Sequence, residues 1–165
     1  MRSVRRLFGG VVTVALLFAA GFVVFRAQDV RDWWALRGYT PSSEVASIAS
    51  STTMTPYAKH VFYVYNPQIE EGDEFNQHCS QAEVSIVLGC YNGSGIFVYN
   101  VSDPRLKGEH EVTAAHEMLH AAYDRLSSKE RAKVDALTAT AFAGLQDERI
   151  KTVIASYRSR DAGVV

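Results

Sequence analysis

His116-Glu117-Met118-Leu119-His120 is an HExxH pattern, and in this chain it is the place where residue type and spacing together specify a chemistry. On an α-helix, residues four apart project from the same side about one turn apart, so two imidazoles at that interval can reach one ion with nitrogen ligands at about 2.0–2.1 Å. Glu117, beside the first imidazole, is placed to take a proton from a metal-activated water without binding the ion itself. Zinc at such a site lowers the pKa of its water toward about 7 and polarises a carbonyl, while the glutamate passes the proton to the leaving amine. Together these roles amount to amide hydrolysis. With 5 His and 10 Glu in 165 residues, a shuffled chain would carry the pattern on the order of once in a hundred. The competing reading is a surface helix with two solvated histidines. Against it stand the small neighbours Thr113-Ala114-Ala115 and Ala121-Ala122, which let a helix pack close beneath a cleft.

Other elements must hold that helix in place. Glu109 to about Leu126 reads as helical, with Val112, Ala115, Leu119, Ala122 and Leu126 along one stripe. Ser127-Ser128-Lys129-Glu130 is a capping-box start for a second helix ending near Gly144, and a third helix carries Ile150, Val153, Ile154 and Tyr157 on one face. Before the motif, Pro41-Ser42-Ser43-Glu44 starts a short helix through about Ser50, followed by a Ser/Thr-rich linker to Thr55. Val61 to Tyr65 is β-branched and aromatic and stops at Asn66-Pro67, so it reads as a strand; an acidic loop, Glu70 to Glu74, follows. Asn92-Gly93 between Val84–Leu88 and Gly95–Val101 signals a hairpin of two antiparallel strands. Strands followed by helices argue for an α+β domain, a small antiparallel or mixed sheet packed on the HExxH helix and two further helices. Asn92-Gly93-Ser94 and Asn100-Val101-Ser102 also fit the glycosylation acceptor pattern, a three-residue match of low specificity.

The sixteen residues VTAAHEMLHAAYDRLS, Val112 to Ser127, resemble the active-site helix of zincin-type metallopeptidases, and the setting resembles uncharacterised membrane-anchored bacterial metallopeptidases. The resemblance implies His116 and His120 as zinc ligands, Glu117 as general base, and a sheet whose edge strand aligns an extended substrate, with Gly95 to Val101 the candidate strand. Metzincins continue to a glycine and a third histidine, but Tyr123 and Leu126 occupy those positions, so that subfamily is excluded. Gluzincins take a later glutamate. Glu130 is committed to its capping box, and Glu148, 28 residues after His120, falls opposite the apolar stripe of its helix. Asp124, two turns beyond His116, has rotated about 80° and moved about 12 Å, which suits a partner that orients an imidazole better than a ligand. Asp147 lies nearer the stripe. The third ligand is thus open among Asp147, Glu148, Asp124 and a segment outside this chain, since the apolar end Ala162 to Val165 suggests a continuation.

From Leu7 to Phe25 there are 19 residues without a charge, about 28 Å as a helix, which predicts a transmembrane signal anchor. A signal peptide cut near Ala19-Ala20-Gly21 is the alternative; Phe22 to Phe25 continue the apolar run past that point. Arg2, Arg5 and Arg6 favour a cytoplasmic N-terminus with the remainder extracytoplasmic, although Arg26, Arg31 and Arg37 weaken the bias. Trp33 and Trp34, with Tyr39 beyond, either sit at the headgroup level or pack on the domain. The formal charge is -1, and without the three leading arginines the balance is 14 basic against 18 acidic residues, so no cationic footprint for nucleic acid is present. Cys79 and Cys90, the only cysteines, lack CxxC spacing; a disulfide closing a twelve-residue loop would contribute about 3 kcal/mol. His60, His78 and His110 read as ordinary polarity.

The expectation is therefore a tail and anchor over residues 1–25, a juxtamembrane stalk and short helix over 26–56, and a zincin-like domain over 57–165. Its function would be an exported, single-pass membrane zinc endopeptidase acting on polypeptides, although the same chemistry hydrolyses any suitably held amide, a cell-wall amide included. The alternative is a non-catalytic zincin-like module that binds a protein partner at the envelope.

Overall fold

Hydroxyl caps set the starts of the helices at Ser43 and Pro56. Ser42 Oγ accepts from the Val45 N–H at 3.2 Å, and Thr55 Oγ1 from the Ala58 N–H at 3.2 Å, each satisfying a backbone donor that the first helical turn leaves unpaired. In the computed structural model, which describes residues 13, 16–18, 20–22, 26–79 and 88–160, these caps open α2 (Ser43–Ser51) and α3 (Pro56–Val64). They are preceded by α1 (Ala27–Leu36). Then follow β1 (Gln68–Glu70), α4 (Gly72–His78), β2 (Gly89–Tyr91) and β3 (Ile96–Tyr99). A 3-10 turn (Pro104–Leu106), α5 (Glu109–Asp124), α6 (Ser128–Ala143) and α7 (Glu148–Arg160) complete the order. The α+β class with a small mixed sheet holds.

Two compact units divide the chain, Met1–Ala121 and Ala122–Val165. In the first, the sheet order is β1-β3-β2, with β1 parallel and β2 antiparallel to β3. The strand expected to lie at the edge, Gly95 to Val101, is thus the centre of the sheet, with its backbone paired on both sides, and its Ile96, Phe97 and Val98 are buried. The core joins these to Val45, Ile48 and Ala49 of α2, Val61 and Phe62 of α3, and Ala114, Met118 and Ala121 of α5. Residues expected as stalk and linker supply part of it. Asp32 of α1 is buried and accepts from His60 Nε2 of α3 at 2.9 Å.

Val61 to Tyr65, expected as a strand, lies almost wholly in α3. Pro56 sits in the first turn, where its missing N–H costs nothing and its fixed φ favours the helix. With Thr55 as cap, that start signal outweighs the β preference of VFYVY, and tertiary burial of Val61 and Phe62 completes the override. The acidic segment is not a loop either: Glu70 ends β1 and Gly72 opens α4. Of the predicted hairpin, Val84 to Val87 lie outside the described residues. A turn stands where expected, but it closes from the Asn92 N–H to the Gly95 carbonyl, so Gly93, at φ +84°, and Ser94 are its central residues, Asn92 Oδ1 accepts from the Ser94 and Gly95 N–H groups at 3.0 and 3.1 Å, and the strand that enters it is Gly89–Tyr91 rather than Val84–Leu88. Cys79 and Cys90 form a disulfide with Cα atoms 5.7 Å apart, packed among Phe75, Phe97 and Tyr99.

The transmembrane anchor is corrected. Among the described residues no helix is long and apolar enough to cross a membrane. A span needs roughly 20 consecutive apolar helical residues, whereas the longest helices among the described residues, α5 and α6, have 16 residues each and carry charged side chains. Arg2, Arg5, Arg6 and most of the stretch 7–25 lie outside the described residues. The single-pass membrane localisation, with a cytoplasmic N-terminus and an extracytoplasmic domain, rested on that span and falls with it.

In the second unit, the capping box is present. Ser127 Oγ accepts from the Glu130 N–H, and the Ser127 N–H donates to Glu130 Oε2 at 2.9 Å. No described side chain of this unit is buried. Tyr123 Oη donates to Asp135 Oδ1 at 2.7 Å, and the Arg131 guanidinium lies 5.3 Å from the Tyr123 ring centroid. The side chain of Tyr157 is outside the described residues.

Candidate functional site

Strand β2 lies against α5 because Gly89 has no side chain. A Cβ there would stand 2.3 Å from Thr113 Cγ2, 3.0 Å from the Phe97 carbonyl oxygen and 3.3 Å from Glu117 Cγ. The pairing of β2 with β3 fixes which peptide groups are free. The Tyr99 N–H donates to the Leu88 carbonyl and the Asn92 N–H to the Gly95 carbonyl. The intervening Gly89–Val98 and Tyr91–Ile96 pairs are therefore the non-hydrogen-bonded ones, and their β2 peptide groups point outward at the sheet's free edge. The Tyr91 N–H meets the Glu117 carboxylate there and donates to it.

This contact explains which face of α5 is inside. The expected stripe of Val112, Ala115, Leu119, Ala122 and Leu126 is not the buried one: Val112 is 67% exposed and Leu119 62%. Thr113, Ala114, Glu117, Met118 and Ala121 are buried instead. Alanines lie on both candidate faces and give little hydrophobic contrast, so the close approach of β2 and the hydrogen bond to Glu117 decide the rotation. Thr113 Oγ1 in turn donates to Glu109 Oε1 at 2.9 Å.

Glu117 is consequently the buried member of the motif. Its burial pushes the carboxyl above the usual carboxylate range, opposed by the nearby His116 and by the Tyr91 N–H. His116 and His120 stand on the exposed side of the same helix with their Nε2 atoms 3.0 Å apart and their rings edge to face. Partial burial, and then the neighbouring His116, lower the His120 pKa and favour its neutral, ligating form. Two nitrogens bound tetrahedrally at 2.0–2.1 Å lie about 3.3 Å apart. The His116 and His120 Nε2 atoms, joined here by a hydrogen bond, are spaced within a few tenths of an ångström of that separation.

The remaining corners are not supplied by a preformed cluster: among the described residues no group of three or more His, Cys, Asp or Glu is arranged to hold an ion. The sequence candidates each have a local partner. Asp124 Oδ1 accepts from Arg131 Nη2 at 3.1 Å, and Asp147 Oδ1 accepts from the Arg149 and Ile150 N–H groups at 2.9 and 3.2 Å, capping α7. Glu148 Oε1 pairs with Lys151 Nζ at 2.8 Å.

The other histidines each join two segments. His60 bonds Asp32, His78 Nδ1 donates to the buried Glu70 Oε2 at 2.9 Å while stacking on Phe97, and His110 Nε2 accepts from the Val101 N–H at 2.9 Å. Sequence reading named Thr113 as a small neighbour for close packing but missed Gly89 and the Tyr91 peptide as the parts that seat Glu117. The signal available was Gly89 itself, a small residue opening a strand that must come close to something.

Comparison of the chain with protein-family profiles, with characterised proteins and with solved structures finds no match.

Proposed function

We propose that the protein is a zinc-dependent hydrolase of peptide bonds, with His116 and His120 as metal ligands and Glu117 as general base. One observation carries the reading: two convergent imidazole nitrogens 3.0 Å apart flank a buried carboxylate whose proton affinity is raised. When bound, zinc supplies a Lewis acid that polarises the scissile carbonyl and acidifies water. Glu117 accepts the proton lost from the attacking water and returns it to the leaving amine. Burial raises its proton affinity above that of an ordinary carboxylate, and the Tyr91 N–H holds its carboxylate in one orientation. The polypeptide substrate class rests on the resemblance of Val112–Ser127 to the zincin helix, and the exposed side of α5 at His116 and His120 is accessible to such a chain.

The two-ligand count favours one other reading, a non-catalytic zincin-like module in which the pair binds zinc weakly or in a partner's presence. Hydrolysis separates the two. The full chain, incubated with zinc and an unstructured polypeptide, should cleave it, and Glu117→Gln should reduce the rate by at least a hundredfold, the order expected of a lost general base. Zinc retained by wild type and Glu117→Gln alike, with no cleavage by either, would establish the binding module instead.

A further inference from the structure

Helix α1 presents a face that the described residues of its own unit leave largely exposed. Asp32 fixes its inner side through the bond to His60, and Leu36 is half-buried on that side. Around the helix, Val30, Trp33, Trp34 and Arg37 fall at i, i+3, i+4 and i+7, one stripe roughly opposite Asp32. Arg26, four residues before Val30 and ion-paired with the exposed Asp29, extends it. The apolar members are far from buried: Val30 is 46% exposed, Trp33 60% and Trp34 68%. The indoles lie 6.1 Å apart, and the Arg37 guanidinium sits 5.3 Å from the Trp33 ring and 5.9 Å from the Trp34 ring.

The geometry points to docking of this face on an anionic lipid surface, with α1 lying along the interface, Val30, Trp33 and Trp34 at the headgroup–acyl boundary and Arg26 and Arg37 toward the phosphates. Two indoles between two guanidinium groups match what an interface offers: rings that are apolar in body and polar at the N–H, and cations facing lipid phosphate. Charge complementarity selects this occupant over a second copy of the chain. Residues 1–41 hold six basic and two acidic residues, whereas residues 42–165 hold eleven basic and sixteen acidic. Segments of net +4 are drawn to an anionic leaflet, and the acidic remainder is held away from it. A contact in the plane of the interface needs no spanning helix, and it is independent of any chemistry at His116.

Trp33 and Trp34 are the only tryptophans, so tryptophan emission reports this face alone. The full chain is titrated with phosphatidylcholine vesicles, with and without phosphatidylglycerol, and with brominated lipid as quencher. The expected result is a blue shift and quenching by brominated acyl chains with the anionic vesicles, and about fivefold weaker partitioning for Arg37→Gln. Emission unmoved by anionic vesicles would overturn the proposal, including the case where the protein floats with the vesicles through some other segment. So would an equal response to uncharged vesicles. A blue shift that grows with protein concentration in the absence of lipid would also overturn it, by showing that a second copy covers the face. The wild-type reading does not depend on how any variant folds.

Discussion

The Glu117 carboxylate accepts a hydrogen bond from the backbone N–H of Tyr91, tying the HExxH helix to the free edge of the sheet. Helix and strand can approach this closely because Gly89, two residues earlier on the same strand, leaves room for Thr113 and Glu117. The proposed base is therefore positioned by backbone, and the consequences can be measured.

Gly89→Ala places a methyl group on Thr113 Cγ2 and the Phe97 carbonyl, so strand or helix must shift. Overpacking of this kind costs about 1–3 kcal/mol, and the melting temperature should fall by several degrees. Hydrolysis should fall further than the loss of folded protein explains, because Glu117 moves with the contact. Thermal melting and activity measured on the folded fraction check this; an unchanged melting temperature would show that the approach is not tight.

Glu117 has a raised pKa in the folded chain, so the folded state holds its proton more tightly than the unfolded state. Below both values the group is neutral in either state and makes no difference; as pH rises through the unfolded and then the raised folded value, stability is lost. Glu117→Gln removes the buried charge and should raise the melting temperature at neutral pH, with the gain vanishing below the carboxylate range. Melting curves of both proteins from acid to neutral pH provide the comparison, and a gain that persists in acid would count against burial as the cause.

His120 behaves in the opposite sense. Its folded pKa is lowered, so the unfolded state binds the proton first as pH falls, and stability present above the ordinary histidine range is lost on descending through it. His120→Ala should flatten that loss, measurable as a smaller change in melting temperature between neutral and mildly acidic pH without metal.

Reduction of Cys79–Cys90 releases the loop between α4 and β2 and should cost about 3 kcal/mol. Urea unfolding with and without a dithiol reductant measures it. Because Cys90 stands between Gly89 and Tyr91, the reduced protein should also lose activity before it loses α5 helicity by circular dichroism.

What could be read from the sequence was local. Ser42, the Ser127–Glu130 box, the turn at Asn92-Gly93 and the HExxH spacing each act within four residues, and each appears where expected. What could not be read depends on partners far along the chain. The pairing of Gln68–Glu70 with Phe97–Tyr99 makes β3 central, the bond from Asp32 to His60 turns an expected stalk into a docked helix, and burial of Val61 and Phe62 settles α3. The rotation of α5 was hidden for a different reason: alanines on both faces leave hydrophobic periodicity nothing to choose between, and the decisive contact is with Gly89, 28 residues before Glu117.

The central claim is that His116 and His120 form a metal-binding pair beside Glu117, and zinc titration of the full chain tests it most directly. The account predicts one zinc per chain for wild type and for Glu117→Gln, with binding lost in His116→Ala and in His120→Ala while helicity and the disulfide are retained. Zinc binding that is absent from wild type, or that survives both histidine substitutions, would contradict it.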